Sequence, residues 1–274
     1  MRQIETIEGF RKALDAERAE GRTVGLVPTM GALHEGHLSL VRRAAGECDL
    51  VAVTVFVNPL QFDETDDLLH YPRDLEADQR LAEGAGAAYL FAPSTTEMYP
   101  DKMITQVSVA ELADHLEGEL RPGHFEGVAT VVAKLFAIAG ACRAYFGEKD
   151  YQQLAVVSRL AQDLSFPVDI VACPTVREPD GLAMSSRNAR LSPAGRAAAP
   201  VLHRALLAGV AEVGAGQERP GLVSMAMARV IAEEPLATLE YADVIPENPF
   251  RWRLLVAARI GDVHLIDNMK AQLR

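Results

Sequence analysis

The sequence predicts an α/β protein, with a Rossmann-like, doubly wound parallel sheet followed by a smaller α+β C-terminal domain. Short β-branched runs alternate with helix-like segments through the first two thirds of the chain. One of these runs, VAVTVFV at 51–57, is apolar at nearly every position, as expected of a strand that helices bury on both faces. The pattern changes after about Arg187, where alanine- and leucine-rich sequence precedes three strand-like runs. We therefore predict a first domain over 1–182 and a second domain over 183–274.

The individual elements follow from the same patterns. The strands of the first domain are predicted at 24–27, 50–57, 87–91, 143–146 and 168–172. Apolar residues recur at helical spacing between them, which predicts helices at 37–47, 73–83 and 126–141. In the second domain, Ser192 and Pro193 have the pattern of an N-cap and first helical position, and predict one helix to about Val213. A helix at 222–233 and strands at 239–245, 254–259 and 263–266 complete the prediction.

Charge and composition narrow the class of partner. The 274 residues include 38 acidic and 27 Lys and Arg side chains, a formal net charge of −11, so a broad basic surface for nucleic acid is not expected. The apolar run at 50–57 is far too short to span a membrane, and residues 1–5 lack the apolar core of a signal peptide. Three widely separated cysteines, without any Cys-x-x-Cys, suggest free thiols. These features predict a cytoplasmic location, with no nucleic-acid or membrane partner.

The segment PTMGALHEGH at 28–37 leaves a predicted strand, turns through glycines and enters a helix. Such a junction binds anions in α/β proteins, because the new helix offers unpaired N–H groups and the positive end of its dipole. His34 and His37 are three residues apart and project to one side, where imidazolium can bind phosphate oxygens. A metal-binding pair and two solvated surface histidines are the alternatives.

Two further polar segments could contribute to the same site. FGEKDYQQ at 146–153 follows another strand, and Lys149 there can place a point charge on a phosphate; an ordinary acidic first helical turn is the alternative. The segment REPDGLAMSSRN at 177–188 combines hydroxyls with Arg187 near the predicted boundary, as a triphosphate clamp does, although a plain linker would look similar. At the end of the second predicted strand, Asn58 and Gln61 could supply neutral hydrogen bonds to a hydroxy acid, or could simply form the turn around Pro59.

Taken together, six segments in this order resemble the pantoate–β-alanine ligase family of the nucleotidylyltransferase superfamily. They are PTMGALHEGH (28–37), VFVNPLQF (55–62), YPRDLE (71–76), RPGHFEGV (121–128), FGEKDYQQL (146–154) and REPDGLAMSSRN (177–188). The resemblance implies an ATP-dependent ligase that condenses (R)-pantoate with β-alanine through pantoyl adenylate and releases pyrophosphate and AMP. It also implies ATP as a substrate, Mg²⁺, and a homodimer.

Carried over position by position, the resemblance implies a set of site residues. The expected catalytic residues are His34, His37, Asn58, Lys149 and Arg187, with His37 as a proton donor. Gln61 and Gln153 are expected to bind pantoate, with Gln61 also facing β-alanine. The expected ATP contacts are Met30, Gly31, Ala32, Leu33, His34, Glu35, Gly36, His37, Gly147, Glu148, Lys149, Asp150, Val176, Met184, Ser185, Ser186 and Arg187.

Three other functions share part of this pattern. A fragment related to class I aminoacyl-tRNA synthetases shares the His-x-Gly-His motif. Such a fragment needs a basic surface with interleaved aromatic residues to bind RNA, and the composition of this acidic chain does not suggest one. A non-catalytic nucleotide-binding module is disfavoured by the histidines and Lys149. An adenylyltransferase acting on phosphopantetheine would need cations for its phosphate acceptor, whereas Gln61 and Gln153 are neutral.

Overall fold

A computed structural model describes residues 1–62, 68–69 and 71–273 of the chain. The chain forms two compact units, Met1–Pro174 and Thr175–Arg274, and each is described separately. The domain boundary after residue 182 stays a prediction.

The first unit is built on a six-stranded parallel sheet. Its strands are β1 (Arg2–Ile4), β2 (Val24–Thr29), β3 (Leu50–Val55), β4 (Tyr89–Phe91), β5 (Cys142–Gly147) and β6 (Val168–Cys173). They lie in the order β1-β4-β3-β2-β5-β6, and every neighbouring pair is parallel. The chain moves outward from β2 through β3 to β4 and then returns to place β5 on the other side of β2. Open α/β sheets bind ligands beyond the carboxyl ends of the strands at such a reversal, which here are the ends of β2 and β5.

Helices cover both faces of this sheet. They are α1 (Ile7–Ala19), α2 (Glu35–Glu47), α3 (Leu75–Gly84), α4 (Thr95–Met98), α5 (Glu117–Leu120), α6 (His124–Ala139) and α7 (Tyr151–Asp163). Leu26 of β2 packs in one apolar cluster with residues of α1, α6 and α7, whereas its neighbour Val27 packs in another with residues of α2 and α3. Successive strand residues point to opposite faces, so this alternation confirms the doubly wound sheet.

The sequence-based prediction located β2 to β6 but did not include β1, α1, α4 or α5, and it gave no bounds for α7. The first strand has only three residues and pairs with β4 alone, so it carries little pattern of its own. The first helix begins after Thr6, whose side chain accepts a hydrogen bond from the Gly9 N–H. That N-cap is readable in the sequence and could have identified the helix.

The second unit packs helices on an antiparallel sheet. It contains α8 (Pro193–Ala198), α9 (Val201–Gly214), α10 (Pro220–Ala232), β7 (Ala237–Asn248), β8 (Arg251–Ile260) and β9 (Val263–Gln272). The prediction of one helix from Pro193 to about Val213 was wrong, because Pro200 separates two helices. Proline has no N–H to continue the hydrogen-bond ladder, and its ring clashes with the preceding turn.

Two of the composition-based expectations can be compared with the fold. Across the described residues, no helix has both the length and the apolar character needed to cross a membrane. All three cysteines, Cys48, Cys142 and Cys173, are free thiols, as the spacing suggested.

Candidate active site

The turn between β2 and α2 has an uncommon backbone. Gly31 and Ala32 both have positive φ, at 84° and 51°. The Thr29 hydroxyl accepts a hydrogen bond from the Gly31 N–H at 3.1 Å. The buried carboxylate of Asp78, on α3, accepts from the N–H groups of Ala32 at 3.0 Å and Leu33 at 2.7 Å. Three successive N–H groups of the turn are therefore bound to side chains of the protein.

The two histidines cap the start of α2. His34 is the N-cap, and its Nδ1 accepts from the Gly36 N–H at 3.1 Å, while His37 Nδ1 lies 3.4 Å from the His34 N–H. The ring centroids are 4.0 Å apart, with 34° between the planes. A neutral imidazole that accepts at Nδ1 carries its proton on Nε2. The cap thus selects the tautomer in which both histidines can donate from Nε2.

This geometry corrects one expectation from the sequence. The backbone N–H groups at the helix start were expected to be unpaired and to bind an anion. The N–H groups of residues 31–34 and 36 instead donate to side chains of the turn and of α3. The capping bonds use Nδ1 of each ring and the backbone, and they do not use the Nε2–H groups.

Burial favours the neutral form of both rings. Burial lowers the pKa of His37 to about 3, and a positive charge on His34 would lower it further. The pKa of His34 is lowered too, first by burial and then by the Lys149 charge. An anion bound beside the rings would raise both pKa values, because opposite charge favours the protonated form.

The end of β5 brings a lysine to the same edge of the sheet. Gly147 ends the strand, the 3₁₀ turn Glu148–Asp150 follows, and α7 begins at Tyr151. Lys149 is largely buried, and its Nζ lies 3.2 Å from Asp150 Oδ1. The charges of Lys149 and Asp150 both act on the two histidines. The parallel pairing of β2 with β5 accounts for this, since it places the carboxyl ends of both strands together.

A buried amide pair follows β3. Asn58 Nδ2 donates to Gln61 Oε1 at 3.0 Å and to the Gly127 carbonyl at 3.1 Å. Asn58 Oδ1 accepts from the Tyr99 hydroxyl at 2.8 Å and from the Leu60 N–H at 3.3 Å. Every hydrogen-bonding position of the Asn58 amide is thus used within the protein. In the structure the Asn58 side chain therefore contacts Gln61, and its catalytic role stays a prediction.

Gln61 connects the ends of two neighbouring strands. Its Nε2 lies 3.1 Å from the Met30 Sδ, at the end of β2. His124 Nδ1 lies 2.8 Å from the Gln61 carbonyl oxygen, and Arg121 approaches the same oxygen at 3.5 Å. The segment RPGHFEGV, which contains both residues, therefore supports Gln61 from α6.

The residues that the sequence analysis did not assign to the site are Thr29, Asp78, Tyr99, Arg121 and His124. Arg121 and His124 belong to a segment already quoted for the family resemblance, which is the signal that could have identified them. Asp78 and Tyr99 lie in helix-forming segments with no local motif. Only their tertiary contacts connect them to the turn after β2 and to Asn58.

The remaining predicted residues fall in two places. Gln153 lies partly buried in the first turn of α7, just after Lys149. Val176 and Met184–Arg187 belong to the second unit, where the Met184 N–H donates to the Val176 carbonyl at 3.0 Å. Ser185 caps the 3₁₀ turn Ser186–Arg190. The clamp role of these residues stays a prediction.

Inside the second unit, ion pairs brace the hairpin that precedes Ser185. Arg177 forms a two-pronged pair with the buried Asp267 of β9, at 2.6 and 2.9 Å, and also donates to the Gly181 carbonyl at 2.9 Å. Arg196 of α8 bonds Glu178 and Asp180, both at 2.6 Å. The segment that carries the two serines and Arg187 is thus tied to a sheet and a helix.

The fold and the site define an α/β enzyme of the nucleotidylyltransferase-like class: a parallel sheet with a histidine pair and a lysine at the strand-order reversal. The sequence model of the pantoate-beta-alanine ligase family matches residues 2–270. The chain therefore belongs to the pantoate-beta-alanine ligase family, and it is an ATP-dependent ligase that condenses pantoate with β-alanine.

Individual relatives are similar along the whole chain. A pantothenate synthetase of Rubrobacter xylanophilus is 53% identical over 267 residues, which cover 92% of each sequence. The crystal structure of pantothenate synthetase from Thermus thermophilus matches with a TM-score of 0.92 and 47% identity, over 98% of this chain and 99% of that one. A pantoate-beta-alanine ligase from Francisella tularensis, complexed with beta-gamma ATP and β-alanine, matches with a TM-score of 0.81 and 34% identity, over 98% and 97% of the two chains.

Proposed function

We propose that the chain forms the amide in two steps through pantoyl adenylate, with MgATP as substrate. In the first step a carboxylate oxygen of (R)-pantoate bonds to the α-phosphorus, and the bond from that phosphorus to pyrophosphate breaks. In the second, the amine of β-alanine attacks the acyl carbon, AMP leaves with the electron pair of the C–O bond, and the amine loses a proton to solvent. The observation that carries this proposal is the histidine pair beside Lys149 at the ends of β2 and β5.

In this proposal, the first step depends on donors aimed at the triphosphate. The pyrophosphate gains negative charge as it leaves, and fixed N–H donors together with one lysine stabilise that charge without reorganising. The Nε2–H groups of His34 and His37 are such donors, because their capping bonds fix the rings. The triphosphate raises the pKa of His37, so that its imidazole can also give a proton to the departing pyrophosphate.

The remaining ATP contacts in the proposal are those that the family motif assigns. They are Met30, Gly31, Ala32, Leu33, Glu35, Gly36, Gly147, Glu148, Asp150, Val176, Met184, Ser185, Ser186 and Arg187. The backbone turn at 31–33 contributes its shape rather than its N–H groups, since those are already bonded. The hydroxyls and guanidinium of 185–187 suit a triphosphate because they are hydrogen-bond donors.

Pantoate is the substrate that we assign to Gln61 and Gln153, with Gln61 also facing β-alanine. Gln61 is 8% exposed and is held from three sides by Asn58, Met30 and His124. A buried neutral amide suits a hydroxy acid, because it offers hydrogen bonds without the charge that a phosphorylated acceptor would need.

Mg²⁺ enters this proposal with the nucleotide. Among the described residues, no group of three or more His, Cys, Asp and Glu side chains could hold a metal ion. Mg²⁺ is commonly held through substrate phosphates with few protein ligands, so the metal as a MgATP complex fits this site. A homodimer and a cytoplasmic location complete the proposal, and membership of a family of biosynthetic ligases supports both.

The test is pyrophosphate release from MgATP, with (R)-pantoate alone and then with β-alanine added. We expect a pantoate-dependent burst, followed by sustained turnover and AMP once β-alanine is present. Phosphate release in place of pyrophosphate, or release that does not depend on pantoate, would contradict the adenylate route. Omitting Mg²⁺ should abolish both phases.

A further inference from the structure

The turn at 31–33 has positive φ at two successive residues, and the second of them carries a Cβ. Ala32 has a φ of 51°, a region that residues with a Cβ disfavour, and it follows Gly31 at 84°. Strain of this kind persists only where surrounding groups over-determine the backbone, and it concentrates at functional sites. The turn precedes His34 directly, so its shape decides where the histidine pair lies.

One side chain from elsewhere in the chain fixes this shape. Asp78 is 3% exposed, and its two carboxylate oxygens accept separately from the N–H groups of Ala32 and Leu33. The fit leaves no spare room, because a Cβ on Gly31 would lie 2.8 Å from Asp78 Oδ2. Packing of α3 against the sheet, with Ala82 fully buried, sets the position of Asp78.

We propose that Asp78 is a positioning residue for adenylate formation, because its carboxylate holds the turn at 31–33 in the shape that aims His34 and His37 at the triphosphate. The inference rests on the proposed function, in which these histidines contact ATP. A carboxylate is suited to this task since both of its oxygens accept. An asparagine would direct an NH₂ group at one of the two N–H groups and lose that bond.

The rings depend on the turn through the backbone. The Leu33 N–H, bonded to Asp78 Oδ1, lies one residue before His34. The His34 N–H in turn lies against His37 Nδ1, and His34 Nδ1 accepts from Gly36. A shift of the peptide at 32–33 is therefore transmitted to both rings, and displacement of a catalytic group by about 1 Å can cost about 10²-fold in rate.

The experiment compares Asp78→Asn with Asp74→Asn as a matched control. Asp74 starts the same helix, and its carboxylate caps the Ala77 N–H at 2.9 Å without touching the turn. Both variants lose one negative charge at this helix, but Asp74 is its exposed N-cap and asparagine keeps the capping bond, so Asp74→Asn controls for the change of charge alone. We expect Asp78→Asn to lower kcat/KM for ATP by at least about 10-fold in pantoate-dependent pyrophosphate release. Asp74→Asn should stay within about twofold of the parent, and equal losses in the two variants would overturn the inference.

A second substitution distinguishes positioning from stability. Ala32→Gly in the Asp78→Asn background removes the Cβ that disfavours positive φ, so kcat/KM for ATP should recover by several-fold. No recovery, at a temperature where circular dichroism shows all variants folded, would contradict the inference. If Asp78→Asn does not fold, Asp78→Glu takes its place: its longer side chain keeps two acceptor oxygens but moves them relative to the N–H groups of Ala32 and Leu33, and it should show the same loss.

Nucleotide binding separates failure of this inference from failure of the proposed function. Calorimetric titration with MgATP should show weaker binding to Asp78→Asn than to Asp74→Asn. If the parent protein binds MgATP but releases no pyrophosphate with pantoate, the proposed function fails, while the comparison of the two variants still tests the role of Asp78. If the parent is active and both variants bind MgATP as it does, the inference alone fails.

Discussion

Gly127 is a position where one added methyl group should directly disturb the proposed pantoate site around Gln61. It lies in α6 against the 3₁₀ turn Pro59–Gln61, and a Cβ there would lie 2.2 Å from the Leu60 carbonyl oxygen and 2.6 Å from Gln61 Cα. Both contacts are with backbone, so no side-chain rotation can relieve them. Ordinary van der Waals contact would require the turn to move by about 1 Å.

Gly127→Ala should therefore move Gln61 and break the Asn58 bond to the Gly127 carbonyl. We expect a loss of about 1–3 kcal/mol in the free energy of unfolding from overpacking. We also expect a decrease of about 10²-fold in kcat/KM for pantoate, since the displacement reaches Gln61, the side chain that we propose binds pantoate. MgATP affinity should change much less, because the turn after β2 is not in the clash.

The assay is steady-state pyrophosphate release with pantoate varied at saturating MgATP, together with denaturant unfolding. Gly84→Ala is the control, because a Cβ at Gly84 meets no atom within 4 Å, and this variant should keep both its activity and its stability. A folded Gly127→Ala protein with the parent's kcat/KM for pantoate would refute the reasoning. So would a loss confined to KM for ATP.

Three further predictions concern charge. Burial lowers the pKa of His37 to about 3, whereas the histidine of an unfolded chain titrates at about 6.5, so the unfolded state binds this proton first as the pH falls. The free energy of unfolding should therefore decrease as the pH drops from about 6.5 towards about 3. A midpoint of about 6.5 for His37 in an NMR titration of the folded protein would contradict this prediction. Lys149→Ala should raise KM for ATP and lower kcat of pyrophosphate release, measured at saturating pantoate, and an effect on β-alanine kinetics alone would argue against the assignment. Asp267→Ala should cost about 3–5 kcal/mol in chemical denaturation because it removes the buried ion-pair partner of Arg177, whereas Arg204→Ala, which removes a 4.0 Å surface pair, should cost at most about 1 kcal/mol.

Much of the candidate site was readable in the sequence because its residues lie in short segments at strand ends. His34, His37 and Lys149 each follow a recognisable strand, and parallel pairing brings those ends together without further information. The hydrogen bonds of Asn58 could not be predicted, for a physical reason. The sequence shows an amide next to Pro59, but only the fold shows that Tyr99 and Gly127 occupy its hydrogen-bonding groups.

The sequence by itself determined the alternation of strands and helices, the anion-suited turns and the family, because these depend on local periodicity and contiguous motifs. Tertiary structure decided which donors the site presents. Asp78, 45 residues beyond Leu33, takes the turn's N–H groups, and the capping bonds and burial make the two histidines neutral Nε2–H donors. The hydrogen-bond partners and the pKa of a side chain depend on the groups within a few ångströms of it. Folding brings those groups together from distant parts of the chain, so local sequence does not reveal them.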